Sequence, residues 1–341
     1  MQPATLRATT TAPEEPTPRT MRAMLQDHYG PPEGLALREV EVPAPGDGQV
    51  LVRVHAAGLH VGDCYAVRGR PLAMRLATGL LRPRVGIPGF DVAGRVVAVG
   101  RGVARFAPGD AVFGACAGAC ADYVCAGQDV LAPLPGGLTF VEAAALPTSG
   151  LAALHGLRDA GKLRAGQKVL INGAAGGVGS FAVQIARALG AEVTGVCSTA
   201  NVEAVRSLGA HHVIDYTQED FTRGGPRYDL ILDNVENRPL AACRRALAPR
   251  GTLVLNSGTG ARGLAMMIRL VQPLLLSPFV RHDLRRFLST PNRADLEVLK
   301  AMVEAGTLRP LVARTYPLGE TARALAALEG GHVRGKLVIV T

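Results

Sequence analysis

The feature that most constrains this chain is a glycine-rich turn between an apolar run and a helical pattern. Asn172–Gly179 reads Asn-Gly-Ala-Ala-Gly-Gly-Val-Gly and directly follows the apolar run Lys168–Ile171. In Ser180–Gly190, large apolar residues recur every four positions and the final glycine ends the pattern. Glycines let a backbone approach a pyrophosphate closely, and a helix N-terminus presents free N–H groups to it. The arrangement therefore predicts nucleotide binding, with a tight turn that holds no ligand as the alternative.

Length and hydropathy predict a two-domain protein without an integral membrane segment. A chain of 341 residues can form two domains with substantial cores. The nearest candidate for a membrane span, Leu264–Val280, is interrupted by Arg269 and by two prolines. Met1–Thr20 is rich in Thr, Pro and Ala, lacks the apolar core of a signal peptide, and is expected to form a disordered tail. We therefore expect a soluble, cytoplasmic protein.

The basic charge does not by itself indicate nucleic-acid binding. The formal net charge is +9, but the arginines are spread along the chain without a basic stripe or an aromatic reading platform. We expect part of this charge to bind a phosphorylated cofactor and most of it to be solvated. The six cysteines show no disulfide framework and are expected to be reduced thiols.

Two different patterns divide the chain. From Met21 to about Leu134, short strands such as Val50–Ala57 alternate with Gly and Pro turns, which predicts a small β-barrel-like domain. Thr139 and Glu142 then form a capping-box pattern that opens a helix. Beyond it, short apolar runs alternate with helical patterns, which predicts a parallel, doubly wound α/β sheet. The predicted strands of that sheet are Lys168–Ile171, Glu192–Cys197, His212–Asp215, Asp229–Asp233 and Thr252–Leu255.

Several short motifs follow one another along the chain in a specific order and spacing. They are Val54–Leu59, Gly89–Gly94, Phe106–Phe113, Ala143–Thr148, Ile171–Gly179, Leu208–Ala210 and Gly335–Val338. With them the chain resembles the medium-chain dehydrogenase/reductase superfamily, and specifically its zinc-independent quinone oxidoreductase, or zeta-crystallin-like, branch. The resemblance implies a GroES-like β-barrel catalytic domain, a Rossmann domain with a doubly wound parallel sheet, hydride transfer from NADPH, and a homodimer.

The expected domain organisation follows from the patterns and the resemblance together. We predict a tail over residues 1–20, a GroES-like catalytic domain over 21–144 and a Rossmann nucleotide-binding domain over 145–300. Residues 301–341 are expected to return to the catalytic domain through a helix at Thr321–Leu328 and a final strand at Gly335–Val340.

The positions that bind catalytic zinc in related alcohol dehydrogenases do not carry a full ligand set here. His60 stands where those enzymes have a cysteine, and Phe90–Asp91 replaces their His–Glu pair. Phe90 cannot ligate a metal. The three thiols within Cys116–Cys125 have the wrong count and spacing for a structural zinc site. We therefore predict no bound metal, with a three-cysteine site completed by a distant ligand as the alternative.

The second strand of the doubly wound sheet favours NADPH over NADH. NAD sites usually carry Asp or Glu about 20 residues past the glycines, where it binds the ribose hydroxyls. Here Ser198 and Thr199 occupy that place, and small hydroxyl residues leave room for a 2′-phosphate. The cation that often follows in relatives is missing, so Arg206 or Arg223 would have to supply it. Tyr216 resembles a family position that flanks the same phosphate.

The remaining cofactor residues are predicted from strand ends and from the resemblance. The pyrophosphate is expected at Gly173, Ala174, Ala175, Gly176, Gly177 and Val178. Asn234 and Ser257 follow the fourth and fifth predicted strands, and ligands of doubly wound sheets lie beyond such carboxyl ends. Thr148 resembles the family residue near the nicotinamide. Lys336 resembles a recurrent lysine on the cofactor side of the cleft, with a solvated terminal charge as the alternative.

Three residues are predicted to line the substrate pocket. The resemblance places His60, Asp63 and Tyr65 there. Tyr65 or His60 is expected to donate a hydrogen bond or a proton to the acceptor oxygen, and Asp63 to orient its neighbours or cap a turn. The apolar excursion Gly263–Arg293, in which Leu284–Leu288 reads as helical, is interpreted as a lid, a dimer contact, core packing or a peripheral membrane segment.

The sequence thus predicts a zinc-free, NADPH-dependent oxidoreductase. Its expected substrate is a quinone or another apolar conjugated carbonyl compound, an enone or enal. Two alternatives stay open: a reductase of an enoyl thioester, and a low-turnover NADPH-binding protein that acts as a sensor or structural partner. No nucleic-acid partner is expected.

Overall fold

Two sheets dominate the computed structural model, which describes residues 17–72, 75–224, 227–256, 271–273, 275–331 and 333–341. One sheet has six strands and the other has seven, and a two-stranded ribbon lies outside both. This is the predicted pairing of a GroES-like β domain with a doubly wound α/β domain, and the fold class is confirmed. Ser257 lies outside the described residues, and so do residues 263–270 and 274 of the segment Gly263–Arg293.

The six-stranded sheet is parallel throughout. Its strands are β8 (Lys168–Asn172), β9 (Glu192–Cys197), β10 (His212–Asp215), β11 (Tyr228–Asp233), β12 (Leu247–Leu255) and β13 (Asp283–Arg286). The spatial order is β10-β9-β8-β11-β12-β13, which is the order of the dinucleotide-binding fold. Strands β9 and β10 are added on one side of β8, and strands β11, β12 and β13 on the other side. The sheet therefore has a switch point between β8 and β11, and ligands of such sheets bind there, beyond the carboxyl ends of the strands.

Helices cover both faces of the six-stranded sheet. They are α5 (Gly177–Ala188), α6 (Val202–Ser207) and α7 (Leu240–Arg245). The apolar stripe of α5 packs on the sheet through fully buried side chains that include Phe181 and Ile185. Leu253 and Leu284 belong to a second core on the α7 side. Apolar burial on both faces explains why these strands read as continuous apolar runs.

The seven-stranded sheet forms the first domain. Its strands are β3 (Gln49–Leu59), β4 (Asp91–Val99), β5 (Ala111–Ala115), β6 (Tyr123–Gly127), β7 (Leu131–Pro133), β14 (Val312–Pro317) and β15 (Lys336–Val340). The main path runs β14-β15-β3-β4-β5-β7, and β6 pairs with β3. The separate ribbon joins β1 (Thr20–Leu25) to β2 (Ala36–Glu41). None of the helices within the described ranges is long and apolar enough to span a membrane.

The remaining helices connect and flank the sheets. They are α1 (Val61–Arg68), α2 (Arg75–Thr78), α3 (Phe140–Ala144), α4 (Pro147–Leu154), α8 (Arg293–Glu304) and α9 (Thr321–Glu329), with a π-helical turn over His155–Ala160. The capping box predicted at Thr139 and Glu142 is present at the start of α3. The helix expected at Thr321–Leu328 is α9.

The last strand ties the two sheets together. Strand β15 pairs antiparallel with β3, so the chain end rejoins the seven-stranded sheet. Just before β15, the Gly335 N–H donates to the Ala175 carbonyl of the glycine turn over 2.9 Å, and Gly335 forms a parallel bridge with Gly176. The seven-stranded sheet is thereby joined directly to the glycine turn that the sequence predicts to bind a nucleotide.

One sequence prediction is wrong. Leu284–Leu288 was expected to be helical, but Asp283–Arg286 forms strand β13, which pairs parallel with β12. The run is too short for the helix period to be distinguished from a strand. The sheet contact decides the outcome, because pairing buries Leu284 against the core on the α7 side.

A partly buried polar cluster joins the π-helical turn to α8. His155 contacts the Ser289 hydroxyl through Nδ1 and the Asp295 carboxylate through Nε2, both over 2.9 Å. Arg158 donates to the other Asp295 oxygen over 2.6 Å. The Arg158 guanidinium, opposed by burial and helped by Asn292 and His155, holds the pKa of Asp295 well below its usual range. The folded state therefore favours the ionised carboxylate.

Asp295→Asn is expected to lower the free energy of unfolding at neutral pH by about 1.5–3 kcal/mol, the usual contribution of hydrogen bonds to a charged group. A carboxyl whose folded pKa is depressed stabilises the protein above its unfolded pKa of about 3.9, and that contribution disappears as pH falls through the folded pKa. The difference between wild type and variant should therefore shrink below about pH 4. Denaturant unfolding across pH measures it.

Asp159→Asn is the matched control, because Asp159 also pairs with Arg158 but is half exposed. This substitution should lower the free energy of unfolding by less than about 1 kcal/mol. A difference between wild type and Asp295→Asn that does not change with pH would contradict the assignment.

Candidate active site

The glycine turn has the geometry that a pyrophosphate requires. Gly173 leaves β8 with φ of +77°, a conformation that favours glycine. Gly176 is the N-cap of α5 and has no side chain to occupy the helix end. A Cβ atom on Gly177 would lie 3.2 Å from the Lys336 side chain and 3.3 Å from the Ser149 hydroxyl. The backbone of Gly173–Val178 can therefore hold phosphate oxygens at the positive end of the α5 dipole.

A fourth glycine permits close packing below the turn. A Cβ on Gly179 would lie 2.0 Å from the Gly173 carbonyl oxygen, far inside contact distance. The N–H groups of Gly173 and Ala174 both donate to the Val196 carbonyl of β9, over 3.1 and 3.0 Å. The turn is thus hydrogen-bonded to the neighbouring strand β9.

Lys336 and Asp91 form a buried ion pair beside the turn. The Lys336 Nζ lies 3.2 Å from an Asp91 carboxylate oxygen, and their side chains are 2% and 0% exposed. The other Asp91 oxygen accepts from both the N–H and the hydroxyl of Thr148, over 2.9 and 2.5 Å. This burial excludes the alternative that Lys336 is a solvated terminal charge. Residues of β4, α4 and β15 therefore meet in one polar group next to Gly177.

Asparagines cluster at the carboxyl ends of the central strands. The Asn234 side chain donates to the Asn172 carbonyl over 3.1 Å and accepts from the Asn256 side chain over 2.8 Å. The Asn172 side chain in turn donates to the buried Asp233 carboxylate over 2.8 Å. Burial raises the pKa of Asp233, opposed mainly by the Glu236 N–H that it accepts. Because these residues end β8, β11 and β12, the network lies at the switch point of the sheet.

The hydroxyl residues predicted for the 2′-phosphate lie at the end of β9. Ser198 accepts from the Asn201 side chain over 3.0 Å, and the Thr199 hydroxyl donates to Asp215 over 2.6 Å. This hydrogen bond is the main cause that lowers the pKa of Asp215. Tyr216 follows at the end of β10 with 43% of its surface exposed. A phosphate bound here would need a cation to offset the Asp215 charge.

The two arginines considered for that cation are both exposed. Arg206 pairs with Glu203 over 2.5 Å, and Arg223 lies 3.9 Å from Asp220. Arg223 and Tyr216 line the same surface cavity of about 740 Å³. Surface ion pairs of this kind are weak, so either arginine can turn to another anion at little cost.

His60 and Asp63 cap helix α1 reciprocally. The His60 Nδ1 accepts from the Gly62 N–H over 2.9 Å, while the Asp63 carboxylate accepts from the His60 N–H over 2.8 Å. The second Asp63 oxygen accepts from the Gly89 N–H over 3.0 Å. Burial raises the pKa of Asp63. Asp63 thus has the contacts of a positioning residue. The capping bond leaves Nε2 of a neutral His60 as the ring N–H donor.

Phe90 and Tyr65 complete this side of the cleft. The Phe90 ring stacks on His60 with centroids 5.4 Å apart. Burial is the main cause that raises the pKa of Tyr65, with smaller contributions from Cys64 and from Glu236. Tyr65 belongs to α1, which directly follows β3, and Gly58 of β3 pairs with Asp91 of β4. Tyr65 stays protonated at neutral pH and is available as a donor.

The zinc implied by related dehydrogenases does not fit these residues. His60 uses Nδ1 to cap α1, and the side chain stacked on it is phenylalanine, which has no ligating atom. Over the part of the chain that the structure describes, no group of three or more His, Cys, Asp or Glu side chains could hold a metal ion. Cys116 and Cys120 carry thiols whose pKa burial raises, to about 12 for Cys116.

Comparisons with known proteins agree with this architecture. The model of the alcohol dehydrogenase GroES-like domain matches residues 46–156, and the zinc-binding dehydrogenase model matches residues 208–339. A quinone oxidoreductase from Pseudomonas aeruginosa is 32% identical over 323 residues, covering 92% of this chain and 97% of that protein. A 2-methylene-furan-3-one reductase from Solanum lycopersicum is 32% identical and covers 94% of this chain and 79% of that protein.

Two further matches extend the picture. The quinone oxidoreductase structure from Coxiella burnetii superposes with a TM-score of 0.81 at 31% identity, covering 94% of this chain and 99% of that one. The spectinabilin polyketide synthase system protein NorB from Streptomyces orinoci is 37% identical over 307 residues, but the match spans 13% of that protein. The chain belongs to the medium-chain dehydrogenase/reductase superfamily, among its quinone oxidoreductase-like enzymes. It is an oxidoreductase that uses a nicotinamide cofactor.

Sequence reasoning missed two parts of this site. Asp91 was noted only as a replaced zinc position, although it holds both Lys336 and Thr148. The buried Glu236–Arg286 pair, with Nη2 and Oε2 2.7 Å apart, was not anticipated because β13 was read as a helix. A signal for Asp91 and Lys336 was available, since each is a charged residue that opens a mostly apolar strand.

Removing either charge of the Lys336–Asp91 pair is expected to destabilise the fold strongly. Asp91→Asn and Lys336→Met should each cost about 3 kcal/mol, because each leaves one buried charge without its partner. The double variant should cost clearly less than the sum. Chemical denaturation of the four proteins gives the coupling energy. Asp47→Asn, at the exposed Arg101 pair, is the control and should cost less than about 1 kcal/mol. Additive costs would show that the two groups do not interact.

Proposed function

We propose that this enzyme reduces a quinone, or a related apolar enone or enal, with hydride from NADPH. The observation that carries the proposal is the junction at Gly335–Lys336. There the glycine turn meets the Lys336–Asp91–Thr148 group beside the switch point of the parallel sheet. Helix α1, with Tyr65, follows β3, whose Gly58 pairs with Asp91. Such a place accommodates a dinucleotide along the strand ends and an acceptor against the catalytic sheet.

The cofactor residues divide into three groups along the strand ends. The backbone of Gly173–Val178 would hold the pyrophosphate, and Ser198, Thr199 and Tyr216 would surround the 2′-phosphate. Thr148, Asn234 and Lys336 would lie at the nicotinamide end, together with Ser257. When bound, the reduced nicotinamide supplies the hydride. Preference for NADPH is supported by the absence of Asp or Glu at the end of β9.

The acceptor side needs polarisation of a carbonyl and delivery of a proton. Tyr65, whose pKa is raised, and the Nε2–H of His60 would donate hydrogen bonds to the acceptor oxygen. Asp63 would hold the α1 N-terminus and the Gly89 backbone in place. Phe90 adds an apolar, aromatic wall suited to a planar acceptor. The quinone oxidoreductase relatives support a quinone, and the tomato reductase supports a conjugated enone.

The deciding experiment measures oxidation of NADPH and of NADH with a naphthoquinone, an alkenal and a simple saturated aldehyde, with and without a chelator. We expect turnover with the quinone and the alkenal, little with the aldehyde, no effect of chelator and at least a tenfold preference for NADPH. Loss of activity with chelator would refute the zinc-free site. Tight NADPH binding without any turnover would favour an enoyl-thioester substrate or a binding protein.

Gly177→Val is expected to weaken NADPH binding at least tenfold, because a larger side chain would enter the space between the turn, Lys336 and Ser149. Fluorescence titration of NADPH measures the affinity. Gly30→Val is the matched control, since a Cβ at Gly30 meets nothing within 4 Å. Unchanged affinity in Gly177→Val would show that the pyrophosphate does not lie on this turn.

Tyr65→Phe is expected to lower kcat more with the alkenal than with the quinone. Loss of a general acid costs on the order of 100-fold where the protein must deliver the proton. A reduced quinone can take its proton from water, so its kcat should fall less. His60→Asn keeps an N-cap side chain for α1 and separates the role of the imidazole from that of the cap. Equal, small effects on both substrates would assign Tyr65 a packing role.

A further inference from the structure

The segment of residues 69–85, here called the arginine–leucine segment, combines two properties that rarely occur together on a protein surface. It follows α1 and leads back to Gly89 and Phe90 in the candidate active site. Residues 64–90 contain five arginines and no Asp or Glu. They therefore carry more than half of the net charge of +9 on 27 residues.

Most of this charge is not neutralised. Arg68 pairs with Glu329, and Arg75 stacks over the Tyr29 ring at 4.5 Å. Arg70, Arg82 and Arg84 are exposed, and none of them forms an ion pair with an acidic side chain in the described part of the chain. Arg82 helps to lower the pKa of Asp27, but Asp27 is already paired with Arg38 over 2.8 Å.

Large apolar side chains project between these arginines. Leu76 and Leu81 are 73% and 82% exposed, and the same segment exposes Leu72, Leu80 and Val85 by half or more. Single exposed apolar residues are common, but four leucines and one valine within 14 residues are a concentration that calls for a partner. The segment contains no aromatic residue, so it lacks the stacking surface with which proteins bind single-stranded nucleic acid.

Hydrogen bonds hold the second half of the segment, residues 78–84. The Tyr29 hydroxyl contacts the Thr78 hydroxyl over 2.8 Å and donates to the Gly79 carbonyl over 2.6 Å. The Arg84 N–H donates to the Thr78 carbonyl over 2.7 Å. Leu80 and Leu81 are therefore presented by a turn that is already hydrogen-bonded, and little ordering of that turn would be required on binding.

We propose that the arginine–leucine segment binds the surface of an anionic lipid membrane. Leucines can enter the boundary between headgroups and acyl chains while arginines pair with acidic headgroups, which is how amphipathic basic segments bind membranes. Charge complementarity favours this partner over a second copy of the chain, because the corresponding surface of a copy would carry the same positive charge.

The position of the segment gives this contact a consequence for catalysis. After the segment the chain continues to Gly89 and Phe90. The Gly89 N–H donates to Asp63, and the Phe90 ring stacks on His60. A membrane bound there lies next to the entry of the candidate acceptor site, so an apolar acceptor could pass from the bilayer into the enzyme. This consequence rests on the proposed function, whereas lipid binding does not.

Co-sedimentation with vesicles of phosphatidylcholine alone, or with phosphatidylglycerol added, tests the proposal without any turnover. Wild type should bind the anionic vesicles, weakly at high salt, and should not bind the neutral ones. Arg82→Glu/Arg84→Glu should weaken binding more than tenfold, since each arginine near an anionic surface contributes about fivefold. Leu80→Ser/Leu81→Ser should weaken it as well, because it removes the apolar insertion.

Two controls separate this segment from general basic charge and general apolarity. Arg101→Glu/Arg105→Glu makes the same change in net charge at another exposed site, and Leu288→Ser removes a side chain that is 89% exposed. Both should change binding less than threefold. The proposal is overturned if wild type does not bind anionic vesicles, or if the controls weaken binding as much. It is also overturned if the leucine variant alters only the oligomeric state in light scattering, which would assign the segment to a second copy.

Discussion

The structure depends on the junction where strand β15 meets the glycine turn. Its backbone contact with Ala175 and its buried Lys336–Asp91 pair connect two sheets that are otherwise built from separate stretches of chain. Two charges removed from water are tolerated only with good geometry and further hydrogen bonds, and Thr148 supplies those to Asp91. The same contacts place a lysine, a threonine and free helix N–H groups around one point. The residues that stabilise this junction are therefore also those of the proposed cofactor site.

The two sides of the candidate site are built by different physical means. On the parallel sheet, the backbone shapes the site: the positive φ at Gly173 and the close approach at Gly179 leave room for a phosphate. On the seven-stranded sheet, side chains shape the site, because the reciprocal cap formed by His60 and Asp63 fixes α1 and with it Tyr65. In the proposed site, His60 and Tyr65 are the donors that would polarise a carbonyl through hydrogen bonds.

Much of the fold was predictable because local patterns and tertiary contacts agree. The strands of the parallel sheet are apolar runs bounded by turns, and the α3 capping box is a local interaction between Thr139 and Glu142. Prediction failed at Leu284–Leu288, where a short run fits either period and only pairing with β12 makes it a strand. The exposed leucines of the arginine–leucine segment resemble core residues in the sequence, and only the structure shows that nothing described covers them.

The sequence by itself determined the family, the two sheet types and the glycine-rich turn, because glycine spacing and hydrophobic periodicity are local properties of the chain. The tertiary structure decided which charges are buried together. Asp91 and Lys336 lie 245 positions apart, and Glu236 and Arg286 lie 50 apart. No local pattern encodes such distances. These pairs form when β15 returns to β3 and when β13 pairs with β12, so they follow from packing.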